Sequence, residues 1–156
     1  MATVVWTVHM GSTLALTGLI WLVQVVQYPL FAEVGAEAFP RYHAAHTRTI
    51  TFVVLPLMGA ELVTGLALAL RPPPSVAPPW LWLGLALVGV VWMSTAGVQV
   101  PRHAALADGF DPAVHRALVR GNWLRTAAWT ARAVLLLFLT GRLLVEPLAH
   151  GAPAAG

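Results

Sequence analysis

The sequence has no cysteine and no lysine, and only 10% of its 156 residues are charged. Without cysteine, disulfides, thiolate metal sites and cysteine nucleophiles are excluded together. The scarcity of charge, set beside 58% hydrophobic residues and a mean hydropathy of +0.75, excludes an ordinary soluble domain. All nine basic residues are arginine. The isoelectric point near 10.6 would suit nucleic acid, but these arginines are spread over helix ends and connections rather than gathered in one patch, so no nucleic-acid partner is expected.

What the chain has instead is apolar length. Four segments, Val4–Val26, Ile50–Leu70, Trp80–Val98 and Trp123–Val145, each meet the roughly 20 residues that a membrane-spanning helix needs. The expectation is an all-α, four-transmembrane-helix bundle forming a single transmembrane domain over 1–156. It divides into a hairpin over 3–71, a proline-rich outer linker over 71–79, a second hairpin over 80–146 and a short tail over 147–156. The first segment opens without Lys or Arg and contains His9, Gln24 and Gln27, so it reads as a retained helix rather than a secretory signal. Arg41, Arg48, Arg102, Arg116 and Arg120 lie in the connections 28–48 and 100–122, whereas Arg71 and Arg142 lie at the other ends. The positive-inside rule then places both connections in the cytoplasm and both termini outside, as in a multi-pass protein of the bacterial inner membrane. Trp6, Trp80 and Trp82 would mark the outer interface and Trp123 the inner one.

The two connections share a pattern. Val26, Gln27, Pro29, Ala32, Pro40, His43, Ala45 and Arg48 recur at a constant offset as Val98, Gln99, Pro101, Ala104, Pro112, His115, Ala117 and Arg120. This suggests a duplicated hairpin, with a pseudo-two-fold axis along the membrane normal. Pro40 and Pro112 are placed in first helical turns, with Asp111 as an N-cap. Pro29 and Pro101 fall in the last turns of helices 1 and 3, and Pro56 bends helix 2.

Every helix also carries a polar stripe at helical spacing. Helix 1 aligns His9, Thr13, Thr17, Gln24 and Gln27, and helix 2 aligns His43, His46, Glu61 and Thr64. Helix 3 aligns Trp92, Thr95, Gln99 and His103, and helix 4 aligns His115, Asn122, Arg125, Trp129 and Arg132. Polar groups facing lipid are costly, so the stripes should converge on a polar cavity open to the cytoplasmic side. Glu61 and Arg132, at matching depth, should pair, either to fix helix register or to transfer protons. His9 is expected to be a hydrogen-bonded interhelical residue. Gly11, Ala15 and Gly18 on helix 1, and Gly59 and Gly65 on helix 2, are expected to serve helix contact.

Chemistry is assigned to three overlapping sets. His43, His46, Asn122, Arg125, Glu61 and Arg132 are the candidate catalytic residues, as acid and base, oxyanion holders and floor. Gln24, Gln27, Tyr28, Gln99, Trp92 and Trp129 are candidate ligand or cofactor contacts, the tryptophans as stacking faces. His43 and His46 are spaced i, i+3 and His115 is the repeat partner of His43, so with His103 these four form a candidate site for zinc, iron or copper. Haem fits less well, because only His9 lies clearly within the bilayer.

The strings WLVQVVQYPLF, FPRYHAAHTR, VPRHAAL and NWLRTAAWTAR resemble those of a family of small four-helix bacterial membrane proteins. More distantly, the arrangement is similar to the anthrone-oxygenase-like membrane family, through its four helices and the Asn122 and Arg125 of helix 4. That resemblance implies cofactor-poor oxygenation of a flat aromatic substrate. Two functions are compatible with these residues. One is a membrane protein that binds a metal or a small amphipathic or aromatic ligand, with an oxygenase-like or other membrane enzyme among the candidates. The other is a non-catalytic small subunit or minimal transporter whose polar stripes are packing contacts, its spare helix faces covered by a homodimer or a larger membrane complex.

Overall fold

The computed structural model describes residues 2–150, and side chains over 3–143. Among these residues the chain is all helical. Helix α1 (Ala2–Leu22) runs into a π turn at Val23–Gln27 and a 3-10 turn at Pro29–Glu33, and α2 spans Phe39–Leu70. Helix α3 (Pro78–Ser94) runs into a second π turn at Thr95–Gln99 and a short α4 at Val100–Ala105, and α5 spans Pro112–His150. Of the expected tail, 147–150 continue α5 and 151–156 lie outside the described residues.

Three helical stretches, Thr3–Glu33, Phe39–Leu70 and Pro78–Ala105, are long and apolar enough to cross a membrane. Helix α5 is not among them; Arg125 and Arg132 lie along it. The surface is inverted relative to a soluble protein. Phe52, Val63, Met93 and Val134 face outward, while His9, Gln24, Glu61, Asn122 and Arg132 are buried. Polar groups turn inward because lipid offers them no hydrogen bonds.

The prolines of the repeated motif do more than end helices. Pro29 and Pro101 were expected in last turns, but each sits just past a π turn and the helical rod continues beyond it. In both places the residue before proline donates its N–H five residues back, Tyr28 to the Val23 carbonyl and Val100 to that of Thr95. A proline ring clashes with the carbonyl four residues upstream, and the wider π turn relieves that crowding. The two π turns therefore lie at equivalent positions of the two hairpins.

Pro40 lies in the first turn of α2 and Pro112 opens α5. The Asp111 carboxylate accepts the N–H groups of Ala113 at 2.6 Å and Val114 at 3.0 Å, which is the expected N-cap. These two bonds hold the carboxyl below its ordinary value of 3.8. The proline-rich linker is anchored by Val76, which is buried against Trp6, Leu68 and Leu81.

Two packing expectations are overturned. Trp6 is not an interface anchor but a core residue, its indole N–H donating to Thr140 Oγ1 at 3.1 Å, whereas Trp80, Trp82 and Trp123 are exposed. Gly11, Ala15 and Gly18 make no close contact within the chain, since all three face outward and a Cβ added at either glycine would meet nothing within 4 Å. Of the two helix 2 glycines also expected at a contact, Gly65 is at one, where a Cβ would come within 3.1 Å of the His9 ring, and Gly59 meets nothing within 4 Å.

Candidate functional site

The polar stripes do converge, but they divide into four neighbourhoods rather than one cavity. At the deepest, Arg132 Nε lies 3.0 Å from Glu61 Oε1 with both side chains buried, as their matched depth predicts. Thr13 Oγ1 donates to the same carboxylate oxygen at 2.8 Å, and the Trp129 indole N–H donates to Oε2 at 3.1 Å. Arg132 also reaches the Gly84 carbonyl and His9 Nε2. Because the Thr64 hydroxyl already donates to the Ala60 carbonyl, it accepts from His9 Nδ1–H, which leaves His9 Nε2 as the acceptor for Arg132. The network ties α1, α2, α3 and α5 together and saturates both carboxylate oxygens. That closure gives Glu61 and Arg132 the geometry of a lock on the register of the four helices.

The second neighbourhood is a clamp between the first π turn and α5. Asn122 Nδ2–H donates to Gln24 Oε1 at 2.9 Å, and Gln24 Nε2–H donates to the Val119 carbonyl at 3.2 Å. Asn122 Oδ1 in turn accepts from Arg125 Nη1–H at 3.3 Å. Gln24 and Asn122 are thus bonded to each other, and Asn122 holds one arm of Arg125.

In the third, the four histidines expected to hold a metal surround a phenyl ring. Phe31 is fully buried, and its ring centroid lies 4.9 Å from that of His46, 5.8 Å from His43 and 6.4 Å from both His103 and His115. His43 Nε2 pairs with His103 Nδ1 at 3.0 Å, His103 Nε2 with the Tyr28 hydroxyl at 2.9 Å, and His115 Nε2–H donates to the Tyr28 carbonyl at 2.7 Å. Among the described residues no three His, Asp or Glu side chains are grouped to hold a metal ion. The expected metal set is therefore corrected: Phe31 fills the point on which its imidazoles would converge, and all four spend ring nitrogens on hydrogen bonds, His46 Nδ1 with Gln27 Nε2 at 3.5 Å.

The fourth neighbourhood is a cavity of about 340 Å³ between α1, α2, the α3–α4 rod and α5. Its walls are mostly apolar, with Leu16, Ile20, Val54 and Met58 prominent. Tyr28, His46, Trp92, Gln99, His103 and Arg125 supply its polar part, with Trp129 beneath. Of the lining residues only Thr51, Leu55 and Val100 are exposed, so the mouth lies between α2 and the start of α4. The expected lining residues Gln24, Asn122, His43 and His115 are absent from this wall, and Gln27 bonds the Tyr42 hydroxyl at 2.7 Å beside a separate groove.

Buried polar atoms without a partner are rare and costly, at about 1–3 kcal/mol each. Among the described residues six side-chain atoms are in that state, and five of them belong to this cavity wall: His46 Nε2, Trp92 Nε1, both amide atoms of Gln99 and Arg125 Nε. Arg125 also lies over the Trp129 ring, 5.2 Å from its centroid. The apolar wall residues Val54 and Met58 were not singled out from the sequence. Their one signal is that they share α2 with His46 and Thr47, one to three turns further along.

A search of protein families, of curated proteins and of solved structures finds no match to this chain.

Proposed function

We propose that this protein is a membrane-embedded binding protein that takes a small amphipathic or aromatic molecule into the cavity walled by Met58, Trp92, Gln99 and Arg125. One observation carries the reading: the unpartnered buried polar atoms are concentrated on one void whose remaining walls are apolar. A volume of about 340 Å³ is at the small end of ligand pockets, which run from roughly 300 to 1,000 Å³. The mouth at Thr51, Leu55 and Val100 is flanked by outward-facing apolar side chains, so a ligand would enter from the bilayer. In this reading α5 is the fourth span, with its arginines shielded by the other three helices. The arginine-rich connections face the cytoplasm of a bacterial inner membrane, and the two hairpins are related by a pseudo-two-fold axis along its normal. The resemblance to the anthrone-oxygenase-like family favours a flat ligand, for which Trp92 and Trp129 offer faces.

The test is saturable ligand binding that depends on the void. Decylubiquinone, a flat-headed amphipath, should quench tryptophan fluorescence saturably in protein reconstituted into nanodiscs. Met58→Trp, which fills the void, should abolish the saturable part. Linear, non-saturating quenching of both proteins by a range of amphipaths would sink the reading.

A second reading has its own observation. Gly11, Ala15 and Gly18 form an open, outward face on α1 of the kind another helix packs against, which suits a small subunit of a homodimer or larger membrane complex. Oligomeric state measured in nanodiscs tests it, and a monomer would overturn it.

A further inference from the structure

We infer that the polar end of the ligand is a carboxylate, bound by Arg125 together with Gln99 and Trp92. This rests on the binding reading above and names the chemistry of that same site. Two properties of the bundle interior carry it, its charge and its hydrogen-bonding capacity.

The charges in the core do not balance. Two arginines and one glutamate are buried there, and the glutamate is committed: Glu61 is bonded by Arg132, Thr13 and Trp129. Arg125 is 6% exposed and its polar neighbours are Asn122 Oδ1 and the Tyr28 hydroxyl, both neutral. The other acidic residues are Glu33, Glu37, Asp108 and Asp111 in the connections and Glu146 towards the end of the chain. Among the described residues the cavity wall therefore carries one positive charge with no carboxylate beside it. A buried cation is retained where something anionic compensates it.

Hydrogen-bonding capacity points the same way. Arg125 Nε–H and Trp92 Nε1–H can only donate, and the Gln99 amide nitrogen donates as well. Against these donors the unpartnered set offers one obligate acceptor, Gln99 Oε1. A carboxylate, with two oxygens and about four lone-pair sites, accepts all three donors and cancels the charge. A quinone or alcohol would accept some donors and leave Arg125 uncompensated. Gln99 is 1% exposed and lines the cavity, so the polar head must come inside, with its apolar body along Leu16, Ile20 and Met58.

The experiment compares two probes that differ only at the head, 10-bromodecanoate and 10-bromodecan-1-ol, by quenching of tryptophan fluorescence in phosphatidylcholine nanodiscs. The acid should quench saturably and bind at least about tenfold more tightly than the alcohol, the scale of one charge-assisted contact. Arg125→Gln should erase the preference for the acid, so that acid and alcohol bind alike, and Gln99→Leu should weaken the acid severalfold. Equal, saturable binding of both probes, lost in Met58→Trp, would overturn the carboxylate and leave the binding cavity standing. Saturation by neither probe would remove both. Should Arg125→Gln fail to fold, the wild-type acid-to-alcohol ratio decides alone. Repeating the titration in discs containing phosphatidylserine separates sources: competition assigns the head to a lipid carboxylate, and unchanged binding assigns it to a free acid.

Discussion

Arg125 lies over the face of Trp129, 5.2 Å from its ring centroid, while the edge of the same indole donates to Glu61. One tryptophan thus separates the cavity from the closed ion-pair network beneath it. It presents its electron-rich face to one charge and its N–H to the other. The two polar regions share this wall but differ in what they lack. The lower one has every carboxylate oxygen bonded, and the upper one has donors without acceptors.

The lower network predicts a stability effect. Glu61→Gln keeps the shape and removes the charge, leaving Arg132 buried and unpaired, at a cost of about 3–5 kcal/mol. Replacing both members, as in Glu61→Leu with Arg132→Met, should recover most of that loss. Thermal unfolding in detergent measures it. A double variant no more stable than Glu61→Gln would show that the pair is not the unit holding the four helices in register.

Gly121 gives a second test. A Cβ there would collide with the guanidinium of Arg102, whose Nη1–H donates to the Ala117 carbonyl at 2.7 Å. Gly121→Ala should cost about 1–3 kcal/mol, and prior removal of the main obstacle by Arg102→Ala should relieve most of it, leaving the tight approach of Val98 Cγ1 at 3.0 Å. Additive losses in the double variant would place Arg102 elsewhere.

The Asp111 cap predicts a pH dependence whose sign is fixed. Its folded carboxyl is held below the ordinary value by the N–H groups of Ala113 and Val114, so its contribution is fully present above the unfolded value of 3.8. That contribution is lost as pH falls through the lower folded value. The difference in melting temperature between wild type and Asp111→Ala should hold constant from neutral pH to about pH 5 and shrink below about pH 4. A difference that grows on acidification would contradict the cap.

Phe31 tests the histidine ring. With all four imidazoles packed on one buried phenyl group, Phe31→Ala should lose about 3–5 kcal/mol, and Phe31→Leu much less. Stoichiometric zinc in the purified wild-type protein would show that the histidines converge on an ion, against the packing on Phe31.

Much of the lower half of the interior was legible in the sequence. Glu61 and Arg132 are the two ionisable groups at middle depth, and the repeat offset places Glu61 opposite Ala133, so their pairing follows from position alone. The upper half was legible only as separate polar residues. Gln24 and Gln99 look alike as polar side chains on apolar helices, yet Gln24 is saturated by Asn122 and Gln99 faces the void. What separates them is the neighbour each meets, Asn122 on α5 for Gln24 and none among the described residues for Gln99, and no periodicity of 3.6 residues registers that. The metal expectation failed for a related reason. His43, His46, His103 and His115 have suitable spacing, but whether a void or Phe31 lies between them depends on how the Pro29–Glu33 turn folds back. Trp6 and the Gly11–Ala15–Gly18 face went astray because composition gives a helix its stripes and not their direction.

The second π turn also sets the phase of the helix beyond it. It holds one residue more than an α-helical turn needs, so α4 is wound on by about 100° relative to a continuous α3. Deleting one residue there, such as Val98, would turn α4 back by that angle and press the Pro101 ring against the upstream carbonyl that the π turn spares. It would also swing His103 off Tyr28 and Arg102 off its seat at Gly121. The cavity's upper wall is thus timed by a single residue, as a cam is timed by one tooth of its gear.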